Sequence, residues 1–176
     1  APKFNSLCNS HRGLAAADKM KFQLMLAPME GITDAAFRTL AHKNGADLTF
    51  TEIARVSNLA RGKKGELARI MIPDSTPTQI QLAGGKLEEY GKFLASFKAE
   101  EGFRGFNLNL GCPSPSFVRQ GIGAAMIKRV TRVQEIVGLI NHYGFECSVK
   151  LRLGLNQYEK ERGAYLNLIK NVDASF

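Results

Sequence analysis

The sequence is poor in cysteine and histidine and lacks any long apolar run. It has three residues of each type among 176. The odd number of cysteines, Cys8, Cys112 and Cys147, and the lack of paired zinc-ligand spacing argue against a disulfide framework and a metal site. No run approaches the roughly 20 apolar residues that span a bilayer, and residues 1–19 lack the apolar block of a secretory signal. We therefore expect a cytoplasmic protein.

Acidic residues are fewer than basic ones. Sixteen Asp and Glu residues stand against 24 Lys and Arg residues, which gives a net charge of +8. This excess favours a polyanionic partner such as nucleic acid, although a solvated basic face explains it equally well. Hydrophobic residues make up 44% of the chain and charged residues 23%, which is typical of one soluble globular domain.

Strand-like apolar runs alternate with helix-like stretches after residue 19. The strands are predicted to begin near Phe22, Leu48, Pro77, Gly105 and Cys147. The helices are predicted at 34–43, 54–70 with breaks at Gly62 and Gly65, 87–98, 130–143 and 157–171. Thr33 is expected to cap the first helix and Gly45 to end it. Most strand spacings are about 26 to 30 residues, which predicts consecutive βαβ units and a parallel sheet.

Three predicted strands carry polar pairs on one face. The pairs are Gln79 with Gln81, Asn107 with Asn109, and Lys150 with Arg152. Aliphatic residues occupy the opposite face of each strand. Polar groups at the carboxyl ends of parallel strands are the expected lining of a ligand site in a barrel or an open α/β sheet. The structural alternative is a set of hydrogen-bonded groups that closes the end of the sheet.

Cys112 lies just past the predicted end of the fourth strand, in a loop rich in glycine and proline. A single cysteine is most often a small buried hydrophobe. Here, however, the strand that delivers Cys112 also carries Asn107 and Asn109. A thiol at a strand end beside a polar strand face indicates an active site.

Five short motifs follow one another between residues 22 and 170. They are Leu26-Ala-Pro-Met-Glu-Gly-Ile-Thr-Asp-Ala-Ala-Phe-Arg38, Thr51-Glu52, Gln81-Leu82 followed by Gly84, Asn109-Leu-Gly-Cys-Pro113 with the later Gly121-Ile-Gly-Ala-Ala125, and Lys150-Leu-Arg-Leu-Gly154. In this order they resemble the motifs of the tRNA-dihydrouridine synthases, flavin enzymes on a TIM barrel. Asn107 departs from that pattern, because the family usually has an acidic residue there. The loop after Pro113 lacks the basic residue that many members have.

The resemblance implies an α/β fold, a TIM (β/α)8 barrel, here truncated to about its first five βα units. A complete barrel takes about 250 residues, so residues 20–176 are interpreted as a partial flavin-binding catalytic domain from the N-terminal part of the barrel. Residues 1–19 are an N-terminal extension of unclear role. In the family the later strands carry a flavin-contacting His and the flavin phosphate site. Since a truncated barrel has unpaired strand edges, we expect the isolated piece to be of low stability or to self-associate.

The resemblance also implies a reaction, the reduction of the C5–C6 double bond of uridines in tRNA. FMN would take hydride from NAD(P)H and pass it to the base, so FMN and NAD(P)H are the implied cofactors and tRNA the implied partner. Cys112 is the implied proton donor, because a thiol with an ordinary pKa of about 8.5 is mostly protonated at neutral pH.

Five residues are implied to contact the cofactor. Pro28 and Met29 would lay their backbone against the flavin ring, and the amides of Gln81 and Asn109 would act as both donors and acceptors. Lys150 would place positive charge where the flavin becomes anionic on reduction. The alternative for an inward lysine is an ion pair with a buried carboxylate.

The implied substrate contacts are Arg152 and Glu52, and the alternatives for Glu52 are a role in organising the site and a solvated or salt-bridged side chain. A group of nearby basic residues either steers tRNA by phosphate attraction or forms a solvated face; it comprises Arg55, Arg61, Lys63 and Lys64. Arg38, in the first predicted helix, is interpreted as structural.

Two other functions stay open at the level of sequence. One is another FMN-dependent TIM-barrel oxidoreductase that acts on a small molecule. The other is a non-catalytic RNA-binding fragment that keeps the basic surface without a complete flavin site.

Overall fold

The computed structural model describes residues 23–176. The predicted strand start at Phe22 and the N-terminal extension with Cys8 lie outside these residues. The strands are Met25–Leu26 (β1), Leu48–Phe50 (β2), Ala54–Arg55 (β3), Thr78–Ala83 (β4), Phe103–Leu110 (β5) and Cys147–Leu151 (β6). The α-helices are Ala35–Lys43 (α1), Val56–Leu59 (α2), Lys64–Arg69 (α3), Leu87–Ser96 (α4), Pro115–Arg119 (α5), Val130–His142 (α6), Gln157–Glu161 (α7) and Ala164–Asn171 (α8). A 3-10 helix, Gly123–Lys128, follows α5.

All strand pairs are parallel, in the order β1-β2-β4-β5-β6, with the short β3 beside β4. Each long strand therefore lies next to the one that precedes it along the chain. A doubly wound sheet reverses direction at its switch point, and this sheet does not. When successive strands are added in one direction across a sheet, right-handed crossovers place the connecting helices on the same side of it. The predicted parallel α/β fold is confirmed, in the strand order of a (β/α) barrel wall.

The hydrophobic core lies between the sheet and its helices. It includes Ile80 and Leu108 from the strands and Phe93 and Ile136 from the helices, all buried. Because successive side chains of a strand point to opposite faces, this packing turns the intervening polar residues of β4 and β5 toward the other face. The core thereby positions the candidate site.

The first helix begins at a different cap from the one predicted. Asp34, not Thr33, is the N-cap, and its side chain accepts a hydrogen bond of 2.8 Å from the Phe37 N–H. The Thr33 hydroxyl oxygen instead accepts the Met29 N–H at 3.1 Å, and the hydroxyl donates to the Met29 carbonyl oxygen at 3.0 Å. Gly45 lies just beyond the helix with φ of 103°, so the predicted stop is confirmed.

Two predicted helices are interrupted. In the stretch 54–70 the first two residues form β3, and α2 and α3 are separated near Gly62, whose φ is 64°. The second predicted break, at Gly65, is wrong because Gly65 lies inside α3. The stretch 157–171 divides into α7 and α8 at Gly163, which has φ of 63°.

Arg38 is structural, as predicted. Its side chain is buried in α1, and one guanidinium nitrogen donates to the Thr33 carbonyl oxygen at 2.7 Å while another donates to that of Met71. Burial lowers the pKa of this guanidinium, while the nearby Asp34 and Asp74 carboxylates act in the opposite direction. Arg38 thus ties the start of α1 to the segment before β4.

No helix within residues 23–176 is both long and apolar enough to cross a bilayer. Across the same residues, no group of three His, Cys, Asp or Glu side chains is arranged to hold a metal ion.

Candidate active site

The polar residues of β4, β5 and β6 form one continuous set of hydrogen bonds, here called the amide network. Its members are Gln79, Gln81, Asn107, Asn109 and Ser148. The sheet register places Gln81 beside Asn107 and Asn107 beside Ser148, and parallel neighbours in register point to the same side. All five side chains are buried. The sequence pattern is therefore confirmed for β4 and β5, where the predicted polar pairs meet.

The hydrogen bonds of the amide network run in one direction. Asn109 donates to Gln81 Oε1 at 2.9 Å, and Gln81 donates to Asn107 Oδ1 at 2.6 Å. Asn107 donates to Ser148 Oγ at 2.8 Å, and that hydroxyl donates to Gln79 Oε1. Gln79 completes the network by donating to the Arg104 carbonyl oxygen at 3.2 Å. The amides thus bond one another, as the structural alternative predicts.

The amide network begins at the loop that carries Cys112. Asn109 Oδ1 accepts the Cys112 N–H at 2.9 Å and the Gly111 N–H at 3.2 Å. On the far side of the loop, the Cys112 carbonyl oxygen accepts the Ala124 N–H at 3.0 Å. Cys112 is half-buried and packs against a small apolar cluster that contains Phe117. These contacts hold the thiol at the end of β5, where the sequence predicts it.

Cys147, the other cysteine among residues 23–176, has a different environment. It is buried in the core at the start of β6, and burial raises the pKa of its thiol to about 12. Of these two thiols, Cys112 is the accessible one.

Gly123 lies so close to the Cys112 loop that a residue with a side chain does not fit there. Its φ is 61°, and a Cβ at this position would lie 2.7 Å from the Cys112 carbonyl oxygen. We expect Gly123→Ala to displace the Cys112 loop and to lower the free energy of unfolding by about 2 kcal/mol. Urea denaturation of the full-length protein measures this change.

Gly138→Ala is the matched control for Gly123→Ala. Gly138 lies inside α6 with no heavy atom within 4 Å of the added Cβ. Since alanine is the better helix former by up to about 1 kcal/mol, the control should gain stability. If the two substitutions changed the free energy of unfolding equally, the proposed support of the Cys112 loop by Gly123 would be wrong.

Lys150 lies beside Asn109 in the β5–β6 register. Its side chain is exposed and forms no ion pair with any carboxylate of the described residues. The alternative role, pairing with a buried carboxylate, therefore finds no partner in this part of the chain. The ammonium group remains available to an anionic group near the amide network.

Pro28 and Met29 lie in the turn after β1, and both are half-buried. Glu52 reaches this turn, because its carboxylate accepts the Gly31 N–H. The same carboxylate lies 3.5 Å from Arg69 Nη1. The structure therefore places Glu52 as a support of the turn, and its contact with substrate stays a prediction.

Arg152 is half-buried just past β6, and its contact with substrate also stays a prediction. Sequence reasoning missed Ser148, the member of the amide network that links Asn107 to Gln79. The signal was present, since Ser148 is two residues before Lys150 and therefore on the same strand face.

Residues 25–175 match the family model described as "Dihydrouridine synthase (Dus)". The chain belongs to the dihydrouridine synthase family. Its similarity to individual members of this dihydrouridine synthase family is moderate. It is 33% identical over 147 residues to a probable tRNA-dihydrouridine synthase of Aquifex aeolicus, an alignment that covers 81% of this chain and 46% of that relative.

Two further dihydrouridine synthase relatives have similar coverage. Identity to the probable tRNA-dihydrouridine synthase 2 of Bacillus subtilis is 31% over 150 residues, covering 83% of this chain and 46% of the relative. Identity to tRNA-dihydrouridine synthase B of Pseudomonas putida is 29% over 143 residues, covering 80% and 42%. The chain thus spans less than half the length of these dihydrouridine synthases.

Proposed function

We propose that the protein is a tRNA-dihydrouridine synthase that reduces the C5–C6 double bond of uridine in tRNA at the expense of NAD(P)H. In the balanced reaction, uridine, NAD(P)H and one proton give dihydrouridine and NAD(P)+. The observation that carries the proposal is the position of Cys112, an accessible thiol held at a strand end beside a buried amide network. Membership of the dihydrouridine synthase family supports it.

The residues of this site fit FMN. The Gln81 and Asn109 carboxamides each have an N–H that the amide network does not use. Beside them is the ammonium group of Lys150, which is free of carboxylates within residues 23–176. We propose that Asn109 and Lys150, with the backbone of Pro28 and Met29, contact the flavin, and that Gln81, whose side chain is fully buried, orients Asn109 by accepting its N–H. FMN, when bound, supplies the hydride that it has received from NAD(P)H.

Cys112 supplies the proton in the proposed reaction. Hydride arrival at C6 of the uracil leaves negative charge over C5 and the C4 carbonyl, and C5 must then gain a proton. The S–H bond of Cys112 breaks as the new C5–H bond forms, and solvent returns a proton to the sulfur. Arg152 and Glu52 are proposed contacts of the nucleotide, and Lys150 stabilises negative charge that develops near it.

The proposal is tested with the full-length protein, FMN, NADPH or NADH, and an unmodified tRNA transcript. We expect oxidation of the reduced nicotinamide to depend on tRNA, and we expect dihydrouridine in the nucleosides analysed by mass spectrometry. Oxidation that needs no tRNA and leaves every uridine intact would contradict the proposal, and would instead indicate a flavin oxidoreductase that acts on a small molecule.

A further inference from the structure

A groove of about 710 Å³ lies beside the carboxyl ends of β3 and β4. Its basic side chains come from segments that are far apart in the sequence: Arg55, Arg61, Lys86, Lys92 and Arg129. Its acidic side chains are Glu88 and Glu89. Five positive and two negative charges give the lining a net charge of 5 − 2 = +3. An anion is therefore the class of ligand that this groove attracts.

The two lysines of the groove are already neutralised by the two glutamates. Lys92 lies 2.7 Å from Glu88, and Lys86 lies 3.7 Å from Glu89. The hydrogen bond from Lys92 lowers the pKa of the Glu88 carboxyl, so this pair stays ionised. The unbalanced charge of the groove is that of its three arginines, none of which forms an ion pair with a described carboxylate.

Each of the three guanidinium groups is held in place without an ion pair to a described carboxylate. The Arg55 guanidinium lies 4.6 Å from the centre of the Phe117 ring. Arg61 Nε donates to the Ser57 carbonyl oxygen at 2.8 Å. The guanidinium of Arg129 rests against Gly121, where an added Cβ would lie 2.7 Å from one of its nitrogens. Since a guanidinium has five N–H donors, each arginine keeps donors for a ligand.

The groove is continuous with the candidate active site. Ala83 lines the groove and lies two residues beyond Gln81 on the same face of β4. Arg55 is the register neighbour of Ala83 in β3. Ala83 and Ile122 pack in the apolar cluster that also contacts Cys112. An extended ligand in the groove therefore passes next to the Cys112 loop.

We propose that this groove binds backbone phosphates of the RNA strand that presents the target uridine, through Arg55, Arg61 and Arg129. The inference rests on the proposed function. Arginine suits this role because its planar fork binds phosphate oxygens in a bidentate manner. The groove is an open trough with three separate guanidinium groups, which matches a strand of several phosphates better than one small anion.

The test is the salt dependence of tRNA binding by the full-length protein, measured with an unmodified transcript and no nicotinamide. We expect the triple variant Arg55→Gln, Arg61→Gln, Arg129→Gln to bind at least about tenfold more weakly at 0.1 M salt. The slope of log K against log salt should also become shallower by about 2. The single variant Arg129→Gln alters an exposed side chain and leaves the core intact. It should also weaken tRNA binding and make the slope of log K against log salt shallower.

The matched control removes three exposed charges outside the groove, with Lys43→Gln, Lys98→Gln and Lys170→Gln combined. If control and groove variants lose affinity equally, the attraction is general and the inference is wrong. If the groove variants keep wild-type affinity and slope while the wild type makes dihydrouridine, the groove inference fails and the proposed function stands. If RNA binding depends on the groove but no dihydrouridine forms, the groove stands and the proposed function fails.

Discussion

Cys112→Ala should lower the rate of dihydrouridine formation by about 10² to 10⁴-fold, the range for removal of a positioned proton donor. The thiol is held at the end of β5 by Asn109 and Ala124. Alanine keeps both backbone hydrogen bonds and removes only the S–H group. Flavin content and tRNA affinity should therefore change little, and single-turnover formation of dihydrouridine is the quantity to measure.

Cys147→Ala is the control for this prediction. It removes a thiol that lies in the core rather than beside the amide network, so it should reduce stability slightly and leave the rate of the chemical step unchanged. Cys112→Ser should also remain slow, because a hydroxyl releases its proton far less readily than a thiol. A Cys112→Ala protein with wild-type turnover would remove Cys112 from the mechanism.

Asn107→Leu should have the largest effect on stability, a loss of about 3 kcal/mol in the free energy of unfolding. Leucine has nearly the same size but can neither accept the Gln81 N–H nor donate to Ser148 Oγ. Both groups are buried, with Gln81 fully inaccessible to solvent, so water cannot replace the lost partner. Urea denaturation measures the loss.

The same substitution removes one of the two hydrogen bonds that orient the Gln81 carboxamide. If Gln81 orients Asn109 toward the flavin as proposed, the Asn107→Leu protein should also retain less FMN after gel filtration. Asn141→Leu is the control, because Asn141 is exposed near the end of α6 and its side chain forms no hydrogen bond with the described residues. A loss below about 1 kcal/mol for Asn107→Leu would mean that the amide network relaxes around the change.

The amides and the thiol could be predicted from sequence because they obey the simple period of a strand. Gln81, Asn107 and Asn109 alternate with large aliphatic residues, and burial of the aliphatic face decides where the amides point. Cys112 follows directly from the end of the same strand. Ser148 has the same period, two residues before Lys150 on one face of β6, but a single small hydroxyl is a weaker signal than a carboxamide and was missed.

The interruptions of the helices were harder to predict, because glycine has no single effect on a helix. Gly62 takes a positive φ and separates α2 from α3, whereas Gly65, three residues later, is helical. Whether a glycine interrupts a helix therefore depends on the packing around it and not on the residue type alone. In the same way, both Thr33 and Asp34 are good capping residues, and the Met29 N–H that the Thr33 hydroxyl accepts decides between them.

The basic groove combines residues from three segments, and only part of it could be predicted. Arg55 and Arg61 lie close together in sequence, in the basic group for which the sequence leaves open either tRNA steering or a solvated face. Arg129 is the residue before α6, and its place beside them follows from the packing of Phe117 and Ile122 against Ala83 at the end of β4. Local sequence patterns hold no information about such a contact.

The two ends of the amide network are backbone groups whose hydrogen-bonding character cannot be exchanged. The Cys112 N–H is only a donor, and the Arg104 carbonyl oxygen is only an acceptor. Turning over a single carboxamide between them would leave at least one junction with two donors or two acceptors, because only the Ser148 hydroxyl can exchange the two roles. The orientation of every carboxamide is therefore fixed before any ligand arrives, and binding requires no energy to select among rotamers.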